Sequence, residues 1–343
     1  METLDLATKT LFADFQESVL FRFRLELEKA KQETYVKKTV KNKPYWYRQV
    51  HESGKKNVQS YVGPVNEKNN KFVEKHRKEF EKQTVQIQKM IELERKKIAL
   101  LKKAGFLNID RKTAKIINHF SRYNVSYKNG VLIGSLAFFT YTGILGVVFD
   151  HGFLKTDIDI ARSENESIAI TTSDDLFQDF SEDLRAIPGL NHSSLPSSFI
   201  YQEEIKIDFL IPKKGKEKKV YKFPGIPGVG AQALRYLDFL IEQRIDGILL
   251  SPNKAIPVTV PHPSRFAIHK MLVAMNRQQH EKSKIDKDLN QASQLIIACS
   301  QETPEDLKSA IEDLASRGKK WKTVFNKAKK HLSSDANKIL TAI

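Results

Sequence analysis

The chain is poor in the residues and motifs that define several common classes of protein. Only one of its 343 residues is a cysteine, Cys299, so no disulfide can form within the chain and no cysteine–histidine metal cluster is available. The nine histidines show no HExxH-type spacing, and the glycine-rich run PGIPGVG (224–230) lacks the Gly-Lys-Ser/Thr ending of a P-loop. No basic region followed by an apolar one opens the sequence, so no signal peptide is expected. These absences favour a reducing, cytoplasmic environment.

Acidic residues are scarce relative to basic ones. Lysine and arginine number 57 against 41 aspartates and glutamates, a formal charge of +16. Such an excess indicates an anionic partner, nucleic acid first and a membrane surface second, although a solvated basic surface would give the same balance. The length, with 40% hydrophobic and 29% charged residues, fits two or three globular domains.

A long apolar run is also nearly absent. The uncharged stretch 131–149 is close to the length of a membrane span, but glycines and hydroxyl residues dilute it. It divides into a strand, VLIG, and a helix, SLAFFTYTGILGVVF, so a buried strand–turn–helix is expected and no membrane partner.

Three regions are predicted along the chain. Residues 1–110 form a basic N-terminal module with a helix over 1–33, a three-stranded antiparallel meander over 35–62 and a long charged helix over 66–104. Residues 111–262 alternate helix and strand, and residues 263–343 are helical. The acidic run 174–184 is interpreted as an amphipathic helix with a solvated face, and Cys299 and His269 as packing residues.

The predicted meander mixes aromatic and basic side chains. Between Tyr35 and Pro64 lie seven lysines or arginines and one acid, Glu52, with four tyrosines and Trp46 among them. Bases can stack on such rings while cations meet phosphates. The rings could equally be the one-sided core of a small sheet. RNA binding by this module and a purely structural role both remain open.

Two aspartates share one face of a predicted strand. In LKTDIDIA (154–161), Asp157 and Asp159 are two residues apart, so in a strand they point the same way and the isoleucines the other. Two neighbouring carboxylates repel unless a cation lies between them. The pattern therefore indicates a divalent-metal site, with an exposed acidic edge strand as the alternative.

Two further segments extend this constellation. In VLIGSLAFF, Gly134 and Ser135 stand where a buried strand turns into a helix, a suitable seat for a phosphate. In EEIKIDFLIP, Asp208 shares a strand face with Lys206 and becomes a third carboxylate if this strand pairs with residues 156–161. Three carboxylates can hold two Mg²⁺ ions about 4 Å apart, as in phosphoryl transfer.

The order of these motifs resembles a known superfamily. An apolar strand followed by Gly-Ser, then the Asp157–Asp159 pair, then Asp208 resembles the DNA polymerase beta-like nucleotidyltransferases. The hairpin ending in YVGP and the stretch PHPSRFAIHKMLVAMNRQQHEKSKIDKDLNQA resemble, more closely, a bacterial nucleotidyltransferase-fold family related to abortive-infection and toxin–antitoxin nucleotidyltransferases. Lys155 stands where that branch often has an arginine.

The resemblance implies a fold, a reaction and further site residues. The fold is α/β (α+β): a small mixed sheet with flanking helices, preceded by the helix–meander–helix module and followed by an all-α domain. The implied reaction is Mg²⁺-dependent transfer of NMP from an NTP to an acceptor hydroxyl, with Mn²⁺ as an alternative ion. The catalytic and metal-binding residues are Asp157, Asp159 and Asp208. The residues implied to lie near the nucleotide are Gly134, Ser135, Lys270, Arg277, Lys287 and Asp288.

The sequence leaves the acceptor open among RNA, tRNA, protein and a small molecule, and a cognate antitoxin or other protein partner is compatible with the resemblance. Two other functions are considered: a non-catalytic nucleic-acid-binding or interaction protein that keeps the fold, and a metal-dependent nuclease. Three co-facing carboxylates argue against the first, since no structural role requires them. Gly134 and Ser135 argue against the second, because a nuclease has no triphosphate to seat.

Overall fold

The computed structural model of the chain is a mixed α/β fold in which helices flank several small sheets. It describes residues 1–30, 33–50, 58–150, 157–163, 173–180, 182–188, 195–213, 215 and 221–343. The strands are β1 (Glu2–Thr3), β2 (Thr34–Val40), β3 (Lys43–Val50), β4 (Val58–Pro64), β5 (Val131–Ile133), β6 (Val147–Val148), β7 (Ile158–Ala161), β8 (Leu184–Ala186), β9 (Ser198–Tyr201), β10 (Ile205–Pro212), β11 (Gln232–Leu234), β12 (Arg244–Leu249) and β13 (Ile256–Pro261). The helices are α1 (Leu6–Ala30), α2 (Glu67–Lys103), α3 (Arg111–Arg122), α4 (Gly134–Leu145), α5 (Ser173–Phe177), α6 (Leu237–Glu242), α7 (Pro263–Ala274), α8 (Lys282–Glu302), α9 (Pro304–Ser316), α10 (Lys319–Lys329) and α11 (Ser334–Ala342). This confirms the predicted fold class.

The first two long helices pack on each other and on the body of the protein. Along α1, Phe12, Phe15, Val19 and Phe23 recur every three to four residues and are all buried, as a core-facing helix requires. The charged residue that interrupts the apolar stripe of α2 is also buried: Glu94 accepts a hydrogen bond of 2.6 Å from Nε of Arg22.

This buried ion pair joins three elements. Nη2 of Arg22 donates to the carbonyl of Ala255, between β12 and β13, at 2.6 Å. Close by, Nζ of Lys254 lies 3.2 Å from Oε1 of Glu26 on α1. The contacts of the buried Arg22 and Glu94 thus connect α1, α2 and the β12–β13 connection. Removing either residue would leave the other charge buried and would cost stability.

The predicted antiparallel meander is confirmed as the sheet β2-β3-β4. Its first turn lies at Lys41–Asn42, both with positive φ, which is the turn geometry that fits two-residue hairpins. The second predicted turn, at residues 52–55, lies outside the described residues.

The central sheet has the strand order β5-β7-β10-β9-β8, with β11 alongside β10. Strands β7 and β10 are parallel, whereas β5 runs antiparallel to β7 and β9 antiparallel to β10. Helix α4 leaves directly from the end of β5, as the predicted strand–turn–helix required. The helix ends at Leu145, short of the predicted residue 149. Gly146 adopts the left-handed conformation and redirects the chain into β6, which pairs with β1.

The acidic run 174–184 is not the amphipathic helix that was expected. It divides into the short α5, a 3-10 turn at Gln178–Phe180 and the beginning of β8. Leu176 and Phe180 are buried, so pairing of β8 with β9 and packing on the sheet prevail over helical periodicity.

The C-terminal region is helical from Pro263 onward, as predicted, and α7 and α8 are packed against the sheet domain. A single apolar core runs from Ile109 through both regions to Leu340, and Cys299 is buried in it. Within the described residues, no helix has the length and apolar character that crossing a bilayer needs.

Candidate functional site

Strand pairing brings two of the three predicted carboxylates, Asp159 and Asp208, side by side. Asp159 on β7 and Asp208 on β10 are directly paired residues of neighbouring parallel strands, so their side chains leave the sheet on the same face. Asp157 immediately precedes β7, and its charge acts on Asp159. The structure therefore pairs Asp159 with Asp208 and places Asp157 within electrostatic reach of Asp159.

The mutual repulsion of these carboxylates is visible in the pKa of Asp159. Burial, then the charge of Asp208 and then that of Asp157 together raise that pKa from its ordinary value to about 6. Lys270 and Lys206 act in the opposite direction without cancelling it. The site is thus electrostatically suited to a cation, which would relieve the repulsion.

Gly134 makes room for this cluster at the end of β5. Ile133 pairs with Asp159, which places the first residue of α4 against the Asp159 carboxylate. Gly134 has a φ of +69°, and a Cβ there would lie 2.4 Å from Oδ2 of Asp159, so both backbone and space require glycine. Ser135 follows in the first turn of α4, nearly buried, where helix N–H groups have no partner within the helix.

Asp208 has partners that sequence reasoning missed. Its Oδ1 accepts a hydrogen bond from Oγ of Ser198 at 2.6 Å, and Nε2 of Gln232 reaches both Ser198 and Asp208. Ser198 is the residue paired with Asp208 on β9, and Gln232 stands on β11. No local motif marks either residue. Only the strand register reveals them.

Lys206 forms an ion pair with the other carboxylate oxygen of Asp208. Its Nζ lies 2.6 Å from Oδ2, and the two residues share one face of β10. The alternation of the strand did give this signal in the sequence. Over the described residues, no group of three or more His, Cys, Asp or Glu side chains is already spaced as a metal centre. A cation at Asp208 would compete with the Lys206 ammonium.

A second charged cluster, on α7 and α8, adjoins the carboxylates. Asp288 is fully buried and accepts from Nζ of Lys270 at 2.7 Å and from Nε of Arg277 at 2.8 Å. Burial alone would raise the pKa of Asp288, but these two cations hold it below its ordinary value.

This second cluster also faces the first. Lys270 acts on the charge of Asp159, as described above, and Asp157 acts on Lys287. Burial, followed by the nearby Lys270, lowers the pKa of Lys287. Of the basic residues that the resemblance implied, Lys270 and Lys287 therefore lie within electrostatic reach of the carboxylates, and Arg277 adjoins Lys270 through Asp288. Lys155 and the rest of 151–156 fall outside the described residues, and the run 224–230 forms turns rather than a regular element.

His269 is packed, as expected, and poorly suited to accept a proton. It is nearly buried, and its Nε2 has no hydrogen-bond partner. Burial and then the charge of Lys270 lower its pKa to about 3. A group with so low a pKa is neutral at physiological pH and is a weak base.

This histidine should make the protein sensitive to acid. Because its folded pKa lies below the ordinary value of 6.5, the unfolded chain binds the proton first, so stability is fully present above pH 6.5 and is lost as the pH falls toward 3. Wild type should lose about 2 kcal/mol from this group between pH 7.5 and 5. His269→Phe should be less acid-sensitive by that amount in urea unfolding, whereas the exposed-site control His280→Gln should match wild type. Equal pH dependence in all three would contradict the assignment.

The part of the chain that carries both charged clusters matches a known family. A family model described as nucleotidyltransferase matches residues 111–316, more than half of the chain. No curated protein matches the chain. Among solved structures, an antigenic nucleotidyltransferase-like protein from Paracoccidioides brasiliensis is similar at 14% sequence identity and a TM-score of 0.28, with 63% of this chain and 90% of that chain covered.

Proposed function

From the premise that the chain belongs to the nucleotidyltransferase family, we propose that it transfers NMP from an NTP to an acceptor hydroxyl with Mg²⁺ held by Asp157, Asp159 and Asp208. Membership of the family makes the protein a transferase that uses an NTP. The observation that carries the rest is the pairing of Asp159 with Asp208 on one face of the sheet beside Gly134, with the charge of Asp157 acting on Asp159.

The residues fit a hard divalent cation. Carboxylate oxygens are the ligands that Mg²⁺ prefers, and a cation would neutralise the charges of Asp208 and Asp157 that, after burial, raise the pKa of Asp159. When bound, Mg²⁺ would lower the pKa of the acceptor hydroxyl and stabilise charge on the leaving oxygen. Ser198 and Gln232 fix the orientation of Asp208, while Lys206 shields it.

The rest of the site suits a triphosphate. Gly134 lets phosphate oxygens approach the N–H groups at the start of α4, and Ser135 adds a hydroxyl there. Lys270 and Arg277, both bonded to Asp288, supply positive charge on the opposite side. In the transfer step the acceptor oxygen bonds to the α-phosphorus, the bond to the pyrophosphate oxygen breaks, and the hydroxyl proton passes to water.

A direct assay tests this function. The protein is incubated with each α-labelled NTP, Mg²⁺ and either total cell RNA or lysate, and label transfer is followed with and without EDTA. Transfer of label to any acceptor supports the proposal if that transfer requires Mg²⁺. Metal-dependent cleavage of RNA without label transfer would instead favour the nuclease. A toxin- or defence-related role is a narrower proposal that rests on the motif resemblance alone.

The triphosphate contacts can be tested by affinity. We expect Ser135→Ala to weaken binding of a non-hydrolysable NTP by roughly 1.5–3 kcal/mol, the size of a hydrogen bond to a charged group. Lys270→Ala should cost more, because it removes a charge near the phosphates. Both are measured by calorimetric titration, with the exposed Lys282→Ala at the start of α8 as the control.

One comparison separates a phosphate contact from a structural one. Lys270 and Arg277 both hold Asp288, so a variant of either removes one of its partners. If Lys270→Ala leaves NTP affinity unchanged, Lys270 only supports Asp288 and is not part of the nucleotide site.

A further inference from the structure

A cluster of tyrosines covers the outer face of the N-terminal sheet. Tyr45, Tyr47 and Tyr61, hereafter the tyrosine face, form a continuous row in which the ring of Tyr61 lies 5.7 Å from that of Tyr45 and 5.8 Å from that of Tyr47. Tyr61 is 59% exposed, and the other two are half-buried, in contact with it. Three large rings thus remain accessible on one side of a small sheet.

The sheet does not need these rings for its own core. Its inner face buries Trp46 and Tyr35 against Val73 of α2, and Nε1 of Trp46 donates to Oδ1 of Asn70 at 2.9 Å. Of the two roles considered for the aromatic residues, the core role applies to Trp46 and Tyr35 on the inner face. It does not apply to the tyrosine face on the outer side. An exposed aromatic patch beyond what a core requires indicates a binding surface.

The strands β2 and β3 and the turn between them carry basic side chains and no acidic ones. Residues 34–50 contain five lysines or arginines and no acid. Nζ of Lys38 lies 5.5 Å from the ring centre of Tyr47, and Lys41 and Lys43 are exposed at the hairpin turn. Of the other two basic residues, Lys37 lies over the ring of Trp46 and Arg48 is paired with Glu33, so Lys38, Lys41 and Lys43 provide the charge beside the tyrosine face in residues 34–50.

We propose that the tyrosine face, with Lys38, Lys41 and Lys43, binds single-stranded nucleic acid and presents it as the acceptor. Unpaired bases can stack on successive rings, and the lysines meet the phosphates between them. A duplex cannot use this face in the same way, because its bases already stack within the helix. The role of the bound strand as acceptor rests on the proposed nucleotidyl transfer. Binding of the strand does not depend on that transfer.

The experiment measures binding apart from chemistry. A fluorescein-labelled 12-mer of single-stranded RNA, the same sequence as single-stranded DNA and as duplex RNA, is titrated with full-length protein by anisotropy. We expect single strands to bind and the duplex to bind more weakly. Tyr47→Ala with Tyr61→Ala should weaken single-strand binding by roughly 30-fold or more, since each stacked base depends on one ring.

The lysines should control the salt dependence. Replacing Lys38 and Lys43 by glutamine should reduce the slope of log affinity against log salt by about 0.7 for each phosphate that is no longer neutralised. The matched controls are Phe21→Ala, an equally accessible ring on α1, and Lys319→Gln with Lys320→Gln, which remove the same charge at α10. These controls should match wild type, and circular dichroism should show all variants folded.

The outcomes separate this proposal from nucleotidyl transfer. Asp159→Asn, which tests catalysis, should bind the 12-mer as wild type does. If wild type binds no single strand, or if the tyrosine and lysine variants bind it with unchanged affinity and salt slope, the proposal is wrong even if NMP transfer is observed. Tyrosine-dependent binding of an acidic peptide in place of nucleic acid would also overturn it and make the face a protein contact.

Discussion

Asp159→Asn is expected to abolish NMP transfer, with a loss of about 10³-fold or more, the scale seen when one preorganised charge is removed from an active site. Asparagine keeps the size of the side chain but removes the charge, and Asp159 is the residue paired with Asp208 beside Gly134. The melting temperature of the metal-free variant should be equal to or higher than that of wild type. The reason is that Asp157 and Asp208 no longer repel a third carboxylate.

Glu204→Gln is the control for this variant. It removes one carboxylate just before β10, from an exposed residue that pairs with Lys112, and should leave transfer unchanged. Mg²⁺ protection against thermal unfolding gives a second readout: it should be present in wild type and Glu204→Gln and absent in Asp159→Asn. Wild-type transfer by Asp159→Asn would remove the metal site from the mechanism.

Asp288→Ala is expected to cost about 3 kcal/mol of stability, the lower end of the range for a broken buried ion pair, because Asp288 is fully buried and its partners Lys270 and Arg277 are only partly so. The loss is measured as the difference in free energy of unfolding in urea. NTP affinity should fall as well, because Lys270 and Arg277 lose the carboxylate that orients them.

The neighbouring Asp286 provides a matched control. It lies two residues earlier on α8 and is exposed. Asp286→Ala therefore removes the same charge without breaking a buried ion pair, and it should change the free energy of unfolding by less than about 0.5 kcal/mol. If Asp288→Ala lowers the free energy of unfolding no more than Asp286→Ala does, the ion pairs of Asp288 do not stabilise the fold.

Much of the architecture could be predicted because local patterns decide it. The buried phenylalanines and Val19 along α1, the alternation in β10 and the switch from VLI to a glycine-started helix each follow from side-chain periodicity or backbone geometry. Asp157 and Asp159 were found because their two-residue spacing predicts a common face, and Asp208 because it stands in an alternating strand and in the expected order of motifs.

What the sequence did not reveal depends on long-range pairing. Ser198 and Gln232 contact Asp208 only because β9 and β11 flank β10, and their own neighbourhoods contain no motif. Glu94 looked like an interruption of the α2 stripe, since its partner Arg22 is 72 residues away. The prediction of an amphipathic helix over 174–184 was wrong for a related reason: the packing of this segment on the sheet outweighs its helical pattern.

The buried ion pair between Arg22 and Glu94 has a geometric consequence for the position of the N-terminal sheet. It fixes α2 to the body of the protein near one end, while the N-terminal sheet rests on the same helix near Asn70. At 1.5 Å per residue, roughly 36 Å of helix separate these two points. A helix clamped in this way holds its far end at a set distance. One continuous helix therefore determines where the tyrosine face lies relative to the Arg22–Glu94 pair, so a strand bound there is received at a fixed position.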